Sequence, residues 1–171
     1  MRKGGGKVNG IKVLAFAVGL GCAAPAGSAE PAAAVDIPHA TDLYADGRTA
    51  RERGIPILLM FASETCSYCL QVEQDYLEPM LRSGEYADKL IIRKLLIRDP
   101  RTLADFDGTD REAAEISRRY GVDLVPTLVF VDAHGRELGE RLVGLTTVDF
   151  YWGYLERSME LARDQLHAAA P

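Results

Sequence analysis

The longest apolar run that ends on chemistry is Ile55-Pro56-Ile57-Leu58-Leu59-Met60-Phe61-Ala62, bounded by Gly54 and Ser63. Without a polar alternation and this short, it reads as a strand covered on both faces, with Pro56 tolerable only near its first position. Ahead of it, residues 42–53 carry helix signals: Thr41 or Asp42 to cap and Gly54 to stop. Behind it, Leu70, Val72, Tyr76, Leu77, Met80 and Leu81 recur at roughly helical spacing, so a helix is expected from Cys66 to about Ser83, kinked or divided at Pro79. Residues 90–97 form a second apolar strand run, and 99–110, with Pro100 and Gly108, an irregular connection. Asp110 is expected to cap a helix ending at Tyr120-Gly121. Residues 127–131 (Thr-Leu-Val-Phe-Val) are a third buried strand. A turn at Asp132-Ala133-His134-Gly135 leads to a fourth strand over 137–143, paired with the third. Thr147 then caps a last helix to about Leu166.

Strands alternating with helices and closing on a hairpin and a helix imply an α/β domain: a mixed central sheet of about four strands with helices on both faces. A length of 171 residues suits one such domain, placed at 41–167, with 168–171 as a tail.

Charge changes the picture at the N-terminus. Residues 1–29 hold Arg2, Lys3, Lys7 and Lys12 and no acid, then an apolar run from Val13 to Leu20, then small residues to Gly27-Ser28-Ala29. That order is expected of a signal peptide cleaved after Ala29, and it places the mature protein in the periplasm. An uncleaved anchor is the first alternative, although the run is shorter than the roughly 20 residues a span needs. Lipidation at Cys22 is the second, although Gly19 occupies a position where such a motif wants a larger aliphatic residue. Residues 30–40 are small, Pro-containing and aperiodic, and are expected to be a flexible leader. Without the first 29 residues the net charge is about −9, which excludes a nucleic-acid partner and leaves no basic face for anionic lipid.

Cleavage would leave two cysteines, Cys66 and Cys69, in Cys66-Ser67-Tyr68-Cys69. A bridge across so short a loop restricts the unfolded chain little, which favours chemistry over stapling. Position carries as much weight as spacing. A thiol at a helix start faces unpaired backbone N–H groups and the positive end of the helix dipole, which stabilise the thiolate. Cys66 is therefore the candidate nucleophile and Cys69 the resolving thiol that attacks a mixed disulfide formed on Cys66. A zinc site is disfavoured, because no second CxxC is present and His39, His134 and His167 lack ligand spacing. A purely structural disulfide is the remaining bland reading.

The segments 60–69 (Met-Phe-Ala-Ser-Glu-Thr-Cys-Ser-Tyr-Cys) and 120–130 (Tyr-Gly-Val-Asp-Leu-Val-Pro-Thr-Leu-Val-Phe) resemble the active-site and cis-proline segments of thioredoxin-like proteins. The likeness extends from about Asp42 to Leu166 and implies the thioredoxin fold. It is nearest to exported thioredoxins associated with sulfur oxidation, the SoxW-like group, in which a Tyr often precedes the second cysteine. The resemblance implies a cis bond before Pro126, with the Val125 backbone presented to an extended substrate, and Thr65 and Tyr68 flanking the cysteines as further substrate contacts. It also implies a thiol–disulfide oxidoreductase without a bound cofactor. Its substrates would be protein or small-molecule thiols and disulfides, and its redox state would be reset by a membrane partner. Two positions depart from the family: Thr65 stands where many members have Trp, and Met60 stands where they bury an Asp that exchanges a proton with the resolving thiol. Glu64 lies nearby but is expected to face solvent. A non-catalytic binding or chaperone module, and a redox sensor, are the alternatives from other classes. The presence of both cysteines argues against a pure binder.

Overall fold

A computed structural model describes residues 35–169. The expected signal peptide, its cleavage site at Ala29, Cys22 and the first part of the leader lie outside the described residues, as do the last two residues of the tail.

Helix α1 (Leu43–Arg53) begins at Asp42, whose carboxylate accepts from the Ala45 amide at 2.8 Å, and ends at Gly54 in the left-handed conformation. Both caps are the expected ones. Strand β1 (Ile57–Ala62) is buried at every position. Its side chains divide by parity. Leu58, Met60 and Ala62 join a core cluster with Val72, Leu77, Met80, Leu155 and Met159, whereas Ile57, Leu59 and Phe61 join a second with Leu43, Ala50 and Ile116. Because the pleat sends alternate residues to opposite faces, an unbroken apolar run is what a strand sandwiched between helices requires.

The long helix after the cysteines comes in pieces: α2 (Ser67–Val72), a π-helical turn (Glu73–Leu77) and α3 (Glu78–Ser83). Pro79 sits in the first turn of α3. There its missing N–H costs nothing in that segment, while the donor it cannot supply upstream coincides with the wider turn. Strand β2 (Ile91–Leu96) pairs in parallel with β1, placing Lys94 opposite Met60.

Residues 99–110 are more ordered than their composition suggests. β3 (Thr102–Ala104) and β4 (Asp110–Glu112) form a small antiparallel sheet in which Ala104 faces Asp110. Asp110 is thus a strand residue, not a helix cap, and α4 (Ala113–Arg119) starts after Glu112. The turn between the strands is fixed by Asp105. Its buried carboxylate accepts from Arg111 at 2.7 Å, from Arg119 and from the Phe106 amide.

β5 (Thr127–Val131) and β6 (Glu137–Val143) form the expected hairpin, and α5 (Val148–Ala168) closes the chain. Thr147 precedes α5, but its side chain makes no capping bond. The sheet order is β2-β1-β5-β6, with β1–β5 and β5–β6 antiparallel. It is the expected mixed four-stranded sheet with helices on both faces. Among the described residues, no helix is long and apolar enough to cross a membrane.

The segment expected to be a leader is docked over its second half. Ile37 is buried, the Ala40 amide donates to the Lys94 carbonyl at 2.9 Å, and the Lys94 amide donates to the Pro38 carbonyl at 2.8 Å. One apolar side chain and two ladder bonds cover this stretch of the β2 edge, so residues ahead of Thr41 pack against the sheet.

Candidate active site

The end of β1 delivers the chain to a short loop, Ser63 to Thr65, and then to Cys66 at the N-cap of α2. Extended backbone at Cys66 turns into helix at Ser67, which aims the first amides of α2 back at the Cys66 side chain. The Cys69 amide donates to Cys66 Sγ at 3.1 Å. The two sulfurs are joined in a disulfide with Cα atoms 5.2 Å apart. The partners differ in access. Cys66 is half-buried, whereas Cys69 is 1% exposed and packs among Met60, Val72 and Leu128.

A second loop, leading into β5, reaches the same end of the sheet, where Thr127 pairs with Phe61. The Val125–Pro126 peptide bond is cis, Pro126 is buried and Val125 is half-buried. The Val125 carbonyl oxygen lies 3.8 Å from Cys66 Sγ. The loop is held behind this point by the Thr127 hydroxyl, which donates to the Leu124 carbonyl at 2.7 Å, and by the Gly144 amide, which donates to the Pro126 carbonyl at 2.7 Å. Of the residues expected to flank the cysteines, Thr65 is exposed beside Cys66, and Tyr68 is 61% exposed at the first turn of α2. Cys66, Cys69, Thr65, Tyr68, Val125 and Pro126 thus meet at one end of the sheet. Glu64 faces solvent, as expected. Met60, fully buried, offers no proton-exchanging group.

On the side away from Val125, the cysteines open into a cleft of about 570 Å³ whose walls include His39, Glu73, Lys94 and Arg101. Glu73 and Lys94 form an ion pair at 2.8 Å, each side chain only 13% exposed. Burial, with the Lys94 and Arg101 cations nearby, pushes the His39 imidazole below its ordinary range. Glu73, Lys94 and Arg101 belong to no recognisable motif. The available signal is spacing: Glu73 follows Cys69 by four, one helical turn.

The arrangement of an accessible sulfur at a helix start, a buried partner one turn on, and a backbone carbonyl beside the first sulfur supports thiol–disulfide exchange. No curated protein matches the chain. Among solved structures, it is similar to the oxidoreductase DsbH, at 19% identity over 82% of this chain and 96% of that one, with a TM-score of 0.52. It is also similar to the periplasmic thioredoxin SoxS from Paracoccus pantotrophus (24% identity, 63% and 98% coverage, TM-score 0.43), and to a thioredoxin-fold protein from Helicobacter pylori (20%, 67% and 81%, TM-score 0.46). These are likenesses of fold. The thioredoxin-like domain model matches residues 43–158, more than half of the chain, and the chain belongs to that family.

Proposed function

We propose that the protein is an exported thiol–disulfide oxidoreductase in which Cys66 is the nucleophile and Cys69 the resolving thiol. The observation that carries this reading is the unequal access of the two sulfurs at the start of α2: Cys66 half-exposed, Cys69 buried. In the dithiol state the Cys69 amide and the α2 dipole favour a thiolate on Cys66. That thiolate attacks a substrate disulfide. The Cys66–substrate bond forms as the substrate S–S bond breaks, and the first substrate sulfur leaves as a thiolate. Cys69 then attacks Cys66 Sγ, the Cys66–Cys69 bond closes and the second substrate sulfur departs. The same steps in reverse oxidise a substrate dithiol.

Val125 and Pro126 are assigned to substrate binding. A backbone carbonyl at 3.8 Å from the reacting sulfur can pair with an extended peptide laid across the site. Thr65 and Tyr68, exposed on the cysteine side, would border the same peptide. The substrates are protein or small-molecule thiols and disulfides, no cofactor takes part, and a membrane redox partner resets the couple. Export through residues 1–29 with cleavage after Ala29 would place the enzyme in the periplasm, and Tyr68 before the second cysteine favours the SoxW-like group. The deciding experiment is equilibration of the Cys66–Cys69 couple with glutathione buffers. A redox-active pair titrates as one two-electron couple, with a potential near −270 mV for a reductant or about −120 mV for an oxidant. A pair that stays oxidised below about −300 mV would be structural, and the reading would fall.

A further inference from the structure

The resolving step poses a problem that Met60 leaves open. Cys69 is buried at 1% exposure and must lose its proton to attack Cys66 Sγ, yet the apolar residues around it cannot take that proton. The carboxylate one helical turn away can. The Glu73 amide donates to the Cys69 carbonyl, so the two side chains leave the same stretch of helix on neighbouring faces, and both line the cleft beneath Cys66. Lys94 occupies Glu73 Oε2 at 2.8 Å, and among the described residues no donor occupies Oε1. One oxygen is anchored and the other is open to a thiol or to a water in the cleft. The anchor comes from a fixed place: Lys94 stands opposite Met60 in the β1–β2 register, on the strand next to the one that leads to Cys66.

We propose that Glu73, oriented by Lys94, is the general base that takes the Cys69 proton, directly or through one water, during resolution. This rests on the oxidoreductase reading above. In the step, the Cys69 S–H bond breaks and its proton passes to Glu73 Oε1. The Cys69 electron pair forms the Cys66–Cys69 bond while the Cys66–substrate bond breaks, and the departing thiolate recovers the proton from Glu73. The dithiol is oxidised and the substrate sulfur reduced, with no further reactant. The other charged groups facing the cleft are His39 and Asp36 on the N-terminal segment, Arg101 after β2 and Glu64 before α2. Asp36, Glu64 and His39 are the competing bases; all three are exposed, whereas the Glu73 side chain is 13% exposed and lies one turn from Cys69.

The test is stopped-flow reaction of the reduced protein with dithiobis-nitrobenzoate, whose coloured thiolate is released once when Cys66 attacks and again when Cys69 resolves. In Glu73→Gln the first phase should keep its rate and the second should slow by about a hundredfold near neutral pH, the low end for a lost general base. The slowed phase should also rise with pH more steeply than in the wild type, as hydroxide takes over. Formate added to Glu73→Ala should restore the second phase in proportion to its concentration, which a merely structural role of Glu73 would not produce. His39→Gln should keep the wild-type second phase. A wild-type second phase in Glu73→Gln, or loss of that phase in His39→Gln instead, would overturn the assignment while leaving the enzyme reading intact. Release of no second equivalent by the wild-type protein would overturn the enzyme reading itself.

Discussion

Cys66 Sγ rests 3.8 Å from the carbonyl oxygen of Val125, where two loops 59 residues apart in sequence converge. Cys69, bonded to the same sulfur, is sealed behind it. This asymmetry sets the order of attack. In the reduced protein iodoacetamide should modify Cys66 first, with an apparent pKa below the roughly 8.5 of a free thiol. Cys69→Ser should accumulate mixed disulfides with substrates and Cys66→Ser almost none. Mass spectrometry of the trapped species reads both outcomes, and equal labelling of the two thiols would reverse the assignment.

Two large apolar side chains in the segments that carry the site are exposed: Tyr68 is 61% exposed and Leu124 56%. Such side chains contribute little to folding but can desolvate against a bound peptide. Tyr68→Ala should therefore lower kcat/KM for a protein disulfide by about fivefold, which corresponds to roughly 1 kcal/mol of lost contact. Stability should stay within about 0.5 kcal/mol, and reaction with a small aromatic disulfide should be unchanged. An equal loss with both substrates would mean that Tyr68 tunes the thiols instead of touching the peptide.

Asp105 ties the β3–β4 turn to the end of α4 through Arg111 and Arg119. Burial alone would raise its carboxyl pKa, but the hydrogen bonds from Arg119 and the Phe106 amide, with the charges of Arg119 and Arg111, hold it below its ordinary 3.8. Asp132, bonded by the His134 and Arg136 amides, is likewise held low. A depressed folded pKa contributes stability that is present above the unfolded value and is lost as pH falls through the folded one. The urea midpoint should therefore drop as pH falls below about 4. Asp105→Asn leaves two guanidinium groups facing a neutral amide. It should cost about 3 kcal/mol at pH 7, the low end for a broken buried pair because both arginines keep some solvent contact. It should also flatten the acid limb. An acid limb as steep in the variant as in the wild type would assign the effect to other carboxylates.

Sequence and structure agree where a residue's role is local and part where it depends on distant pairing. β1 is legible because burial on both faces leaves a signature in composition alone, and the α1 caps because Asp42 and Gly54 act within one turn. Cys66 and Cys69 are legible because their chemistry depends on spacing and on the helix start. Asp110 misleads because a short acidic residue before a helix suits a cap equally well as a strand end. What decides between them is the pairing of Asp110 with Ala104 across the turn that Asp105 holds, which local pattern does not contain. The Glu73–Lys94 pair is hidden for the same reason: it exists only once β2 lies beside β1 in one register, with Lys94 opposite Met60.

Two helical glycines should respond to the same substitution with opposite signs. Replacing Gly by Ala inside a helix ordinarily stabilises it by about 0.5–1 kcal/mol, because the unfolded chain loses freedom and the helix gains a better former. Gly153, in α5, has no atom within 4 Å of the position a Cβ would take. Gly153→Ala should therefore raise stability by about that amount. Gly47, in α1, is different: a Cβ there would run into the Ala133 carbonyl oxygen in the turn between β5 and β6, with Phe106 Cδ1 at 3.5 Å on another side. Backbone cannot retreat as a flexible side chain can, so α1 would have to lift from the turn and give up part of the packing of Leu43 and Ala50. Gly47→Ala should lose about 1–3 kcal/mol, the cost of overpacking a filled interior. Thermal unfolding of the two variants beside the wild type measures both signs. A stabilised Gly47→Ala would mean that α1 does not press on the 132–135 turn, and that the glycine is there for some reason other than close approach.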